Sequence, residues 1–153
     1  MAFKNQVPNV YSVGLRSVGS YQVSGTPWLT GSASLANTNG VRFSFPYVSK
    51  SLTVINTGTV ALRLHFQSGS ELDTVTDGVA VAITTIGDCD VQNKLHYITV
   101  PASNGSVTLD VKCKEFYISN HAGGAAGSFE AFAELTNIPT GSMFTLTGSG
   151  ITG

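Results

Sequence analysis

A chain of 153 residues has the size of one ordinary domain, and at 42% hydrophobic content it can bury a core, which argues against a disordered chain. Asp, Glu, Lys and Arg supply only 11% of the residues, where soluble domains carry about 25%; eight basic and nine acidic residues leave a formal charge of −1. With no run of Lys or Arg, this balance removes the electrostatic basis for non-specific nucleic-acid binding or for anionic membranes, so neither partner is expected.

Segment 1–19 interrupts Phe3, Val10, Tyr11 and Leu15 with Pro8, Gly14 and Gly19, and reads as an arm ahead of a single domain at 20–153. It holds no apolar run that would make a secretory signal, and no membrane-spanning stretch follows, so synthesis in a cytoplasm without export is the expectation. From there the hydrophobic period is two almost throughout. Strands are expected at 20–24, 27–33, 41–45 after the Asn39-Gly40 turn, 49–56 and 60–67. In "VALRLHFQ", Leu62, Leu64 and Phe66 point one way and Arg63, His65 and Gln67 the other, which predicts one buried and one wet face.

The segment 68–94 is the only long detour. It carries most of the acidic clustering and one expected strand, 79–86. Beyond it, "LHYITV" at 95–100 and "SVTLDVKC", where Val107, Leu109, Val111 and Cys113 alternate with polar residues, flank "PASNG"; Asn104-Gly105 there predicts a β-hairpin. Strands at 114–119, 128–135 and 142–147 complete the chain, and no segment makes a convincing helix. The expected fold is all-β: an antiparallel β-sandwich, jelly-roll-like, of about 8–10 short strands, with strand order left open by periodicity.

Candidate chemistry is sparse. Asp73, Asp77 and Gly78 match three positions of a calcium loop, but Val75 and Thr84 occupy ligand positions, so a solvated turn is expected. Asp88 and Asp90 flank Cys89 without a further ligand set, and Cys89 and Cys113 are too few for a disulfide framework and lack zinc spacing. His65 and His96 lie on strands and read as surface histidines; His121 opens "HAGGAAG". Glu130 and Glu134 in "SFEAFAEL" share one strand face about 13 Å apart, which suits a polar outer face better than a paired acid and base. No nucleophile elbow, P-loop or dinucleotide fingerprint is present, so no catalytic, metal or cofactor residue is assigned and an enzyme is not expected.

The single tryptophan sits in "TPWLTG", where Pro27 fixes an extended approach, so the segment reads as an edge strand presenting a ring. Trp28 either packs in the core or anchors a contact between subunits, and Trp28, Tyr21 and Tyr47 together can also be read as a sugar-stacking platform. The stretches "GSYQVSGTPWLTGS", "FPYVSKSLTVINTG", "VTLDVKCKEFYIS" and "FEAFAELTNIPTGSMFTLTGSGITG" resemble small virion proteins of marine tailed bacteriophages. The similarity is one of general texture over much of the chain. It implies a β-rich structural component of the particle, of the kind that decorates or cements a capsid lattice, and supplies no site residues. Interface positions expected from the sequence are Tyr11, Tyr21, Trp28, Leu29, Met143 and Phe144. Expected partners are copies of the chain, with a trimer favoured, and other capsid proteins. A glycan is the partner under the alternative of a fibre or tail module, and a hydrolase is a third reading.

Overall fold

The computed structural model describes residues 13–22, 24–66, 76–82, 96–120, 124–144, 146–147 and 150–151, with side chains through Phe144. Alternating apolar residues leave these segments one way to bury them, as strands with one face turned inward. Four strands form one antiparallel sheet: β1 (Thr26–Leu35), β3 (Tyr47–Asn56), β7 (Gly105–Leu109) and β9 (Gly127–Pro139), in the order β1-β9-β3-β7. Five form the other: β2 (Asn39–Ser44), β4 (Leu62–His65), β5 (Val81–Ala82), β6 (Ile98–Val100) and β8 (Glu115–Ser119), in the order β5-β2-β8-β4-β6. A short pair, β10 (Leu146–Thr147) with β11 (Gly150–Ile151), stands apart.

The chain crosses from one sheet to the other at every step from β1 to β4, stays in the five-stranded sheet through β5 and β6, then crosses again at β7, β8 and β9. With β5 set aside, this is the eight-strand jelly-roll order of two interlocked Greek keys. Between the sheets lies one core in which Leu35, Leu52, Val54, Phe129 and Ala133 from the first sheet meet Val41, Phe43, Leu62, Leu64 and Phe116 from the second. A smaller cluster of Val48, Ile138 and Met143 closes one end, covered by Leu15 and Tyr21.

The expected hairpin at 95–113 is not formed. Ser103 and Asn104 do adopt φ of 60° and 65°, the left-handed pair that a tight turn requires. The strands on either side, however, belong to different sheets, β6 bonding β4 and β7 bonding β3. The turn's donors go sideways, Ser103 N–H to Gly58 O at 2.8 Å and Asn104 N–H to Asn56 O at 2.8 Å, so the connection is a corner tied to the neighbouring loop.

Three further expectations change. Of the expected strand at 20–24, the described residues 20–22 are helical: bonds from Ser17 N–H to Gly14 O, Ser20 N–H to Ser17 O and Tyr21 N–H to Val18 O wind the chain into α1 (Gly19–Gln22). Of the expected strand at 142–147, Ser142 ends a 3-10 turn at Thr140–Ser142, Met143 and Phe144 are not strand, and Leu146–Thr147 form β10. His65 is not wet. Its side chain points to the outer side of the five-stranded sheet, opposite the inward Leu64, yet it is only 1% exposed and stacks on Tyr117 at 5.4 Å between ring centroids. Of the detour at 68–94, residues 76–82 are described: Asp77 Oδ1 accepts from Ser44 N–H at 2.6 Å, Gly78 N–H donates to Arg42 O, and β5 pairs with the start of β2.

Two buried asparagines fasten the end where β1 meets β2, β3 meets β4 and β8 meets β9. Asn56 donates through Nδ2 to Val60 O at 2.7 Å and Val100 O at 3.1 Å, and Asn120 through Nδ2 to Leu35 O and Ala125 O, both at 2.9 Å. Thr38, with φ 65°, donates its N–H to Asn120 O at 2.7 Å at the same end.

Candidate functional site

The outer face of the four-stranded sheet carries the most distinctive surface among the described residues. Strand registry sets it in rows: Leu29, Phe132, Thr53 and Thr108 lie side by side across β1, β9, β3 and β7, and the next row is Gly31, Glu130, Ile55 and Ser106. Alternation turns Leu29, Phe132 and Ile55 outward, because their neighbours Trp28, Ala131, Ala133 and Val54 pack into the core. Leu29 is 74% exposed and Phe132 37%.

Gly31 brings no side chain to the second row, so the surface dips there. The hollow, of about 420 Å³, is lined by Leu29, Thr30, Ile55, Glu130, Ala131 and Phe132. A Cβ at Gly31 would come within 2.7 Å of Phe129 O, so the close approach of β1 to β9 requires glycine at this position. Glu130, an exposed residue, thus lines the hollow together with three apolar side chains. One row further, Glu134 accepts from Ser51 Oγ at 3.1 Å, and Thr53 and Thr108 share a hydrogen bond at 3.0 Å, which gives the hollow a polar rim.

The hollow adjoins an open edge. Strand β1 pairs with β9 on one side, and among the described residues nothing pairs with the other. Pro27 at its start and the register shift between Ser32 and Leu35 limit the regular free edge to a short central stretch that includes Leu29.

The six positions expected from the sequence fall into three groups. Leu29 and Phe144, which is 41% exposed, are offered to the outside. Trp28 and Met143 are turned inward. The Trp28 ring meets Phe45, Phe116 and Phe43 edge-on at 4.8, 5.9 and 6.1 Å, and Met143 belongs to the small cluster with Val48 and Ile138. The strand is the expected edge strand, but the side chain it presents is that of Leu29. Tyr21 is half-buried and clamped: its hydroxyl donates to Leu15 O at 3.0 Å, and Lys112 Nζ lies 4.6 Å from its ring centre while donating to the same carbonyl at 2.8 Å. Tyr11 lies outside the described residues. With Trp28 inside and Tyr21 clamped, Tyr47 is the one ring of the three sugar-stacking candidates that is well exposed.

Phe132, Ile55 and Gly31 were not singled out by sequence. Their pairing with Leu29 and Glu130 depends on which strands become neighbours, and the local signal available was only that each alternates outward in its own strand.

Cys113 is a buried free thiol, bonded to Ser49 Oγ at 3.2 Å, and burial pushes its pKa up to about 11, against a smaller opposing effect of the Ser49 hydroxyl. It is held as a neutral core group. Cys89, Asp73, Asp88, Asp90 and His121 lie outside the described residues. Among the described residues no group of three or more His, Cys, Asp or Glu is placed to hold a metal ion. Scanned against protein-family models and compared with curated proteins, the chain matches none of either.

Proposed function

We propose that the chain is a non-enzymatic structural protein of a virus particle, a decoration, cement or minor capsid component that oligomerises and binds a capsid lattice. The observation that carries this reading is the apolar hollow formed by Leu29, Ile55 and Phe132 beside the open edge of β1. A ready-made apolar contact on a flat sheet face suits docking against another protein surface. The jelly-roll order supports it by analogy only, since viral capsid domains share this architecture with lectins and cupins. A surface of few charges, rich in Ser, Thr, Asn and Gly, suits dense packing against neighbours. Each contact then needs only modest strength, because an oligomer that engages several lattice subunits gains effective concentration.

In this reading the sheet face carries the lattice contact, and Phe144 contributes to the contact between copies. A carbohydrate-binding module of a fibre or tail is the rival, and it would need an aromatic platform that Trp28 and Tyr21 do not provide. The test is light scattering across a concentration series, followed by sedimentation with assembled capsids of the source particle. A closed oligomer, with stoichiometric capsid binding lost in Leu29→Asp, is the expected result. Capsid binding by Leu29→Asp at the wild-type level, or glycan binding without capsid binding, would overturn it.

A further inference from the structure

The hollow combines two features that seldom coincide on a polar sheet surface: three outward apolar side chains and, between Gly31 and Ile55 in the same row, a carboxylate. The two outward rows that line it, Leu29-Phe132-Thr53-Thr108 and Gly31-Glu130-Ile55-Ser106, contain one acidic residue and no basic one; the row beyond, Pro27-Glu134-Ser51, lies at the β3 irregularity that holds Lys50. The one ionisable residue that lines the hollow is therefore Glu130. A second copy centred on the same hollow would set Glu130 against its own counterpart, so a symmetric dimer through the hollow is disfavoured.

We infer that the hollow receives a lysine or arginine side chain from a protein other than this chain. The aliphatic stem lies on Leu29, Ile55 and Phe132, and the cationic head pairs with the Glu130 carboxylate. A basic side chain has the required dual character, since its methylenes cover apolar surface while its head seeks an anion or an aromatic face. An arginine has the additional advantage of a planar head that can lie over the Phe132 ring while it bonds Glu130. The inference rests on the docking role proposed above and specifies the chemistry of the partner: a basic, apolar-flanked segment of the lattice protein.

The test uses a matched pair of blocked hexapeptides, Gly-Phe-Arg-Leu-Arg-Gly and Gly-Phe-Glu-Leu-Glu-Gly, titrated into the full chain while the methyl resonances of Leu29 and Ile55 are followed by NMR. The expected result is that the basic peptide shifts both methyls and binds about tenfold more tightly than the acidic one, the size of effect that one charge-assisted hydrogen bond supplies. Glu130→Gln, an exposed and isosteric change, should remove most of that preference, and added salt should weaken the basic peptide alone. Equal affinity of the two peptides, no shift at either methyl, or a preference that survives in Glu130→Gln would overturn the inference. So would self-association of the wild type that Glu130→Gln abolishes, because the occupant would then be a second copy. Peptide preference without capsid binding would leave this chemistry standing and remove the virion reading; capsid binding without peptide preference would do the reverse.

Discussion

Adjacent residues Trp28 and Leu29 should have opposite phenotypes, because the pleat of β1 sends one into the core and the other to the surface. Truncating a buried tryptophan or phenylalanine to alanine costs about 3–5 kcal/mol, and Trp28 belongs at the lower end because it is only partly buried and sits on an edge strand. Three edge-on phenylalanine contacts at 4.8–6.1 Å vanish together in Trp28→Ala. A loss of about 3 kcal/mol is therefore expected, which for a domain of this size lowers the melting midpoint by about 6–12 °C. Leu29 is 74% exposed, so Leu29→Ala should change stability by less than about 0.5 kcal/mol while weakening any contact made through the hollow. Urea unfolding followed by circular dichroism gives both numbers. A Trp28→Ala protein within about 1 kcal/mol of wild type would show that the ring does not support the core, and the assignment of inward and outward faces in β1 would fail with it.

Other substitutions probe the fastenings of the fold. Asn56→Ala removes the donors that satisfy Val60 O and Val100 O and should cost about 2–4 kcal/mol, read by chemical denaturation. Thr38→Gly relieves a β-branched residue at φ 65° while keeping the backbone bond to Asn120, and should leave stability equal to or up to about 1 kcal/mol above wild type. For Cys113, whose pKa rises from 9.0 to about 11 in the fold, the neutral thiol is the favoured form, so its contribution is complete below pH 9 and is lost as the pH climbs to about 11. Over that interval wild type should lose on the order of 2 kcal/mol more than Cys113→Ala does, in parallel urea titrations that cancel the tyrosine and lysine ionisations the two proteins share.

Most strands could be placed from the sequence because each contains its own evidence. Val41 and Phe43 alternate with Arg42 in β2, and Phe129, Ala131 and Ala133 alternate with Glu130 and Phe132 in β9. Period two says that a residue faces in or out, but it is silent on which sheet the strand joins. That is why "PASNG" could be read as a hairpin: the same left-handed pair at Ser103 and Asn104 serves a corner equally well, and only the bonds to Gly58 and Asn56 decide between them. The same limit hid the hollow. Leu29, Gly31, Ile55, Glu130 and Phe132 come from three strands spread over about 100 positions, and only the order β1-β9-β3 places them together. His65 failed for a different reason, since alternation correctly gave its direction but not whether that outer face was covered. Pro27 and the extended pattern suffice to place Trp28 on an edge strand, yet the choice between core and interface depends on Phe43, Phe45 and Phe116, which belong to the chain around the opposite sheet.

The placement of the single tryptophan also makes the molecule its own optical gauge. Its indole is surrounded by phenylalanines from two other parts of the chain, so any peeling of β1 away from β9 hydrates the ring and moves its emission to longer wavelength, without a dye or a label. Because Leu29 occupies the next position on the opposite side of the same strand, a partner that grips the outer surface should slow that peeling, and the protection can be timed by a quencher such as acrylamide. One native chromophore thus reports on the integrity of the interior and on occupancy of the exterior from a single point in the backbone.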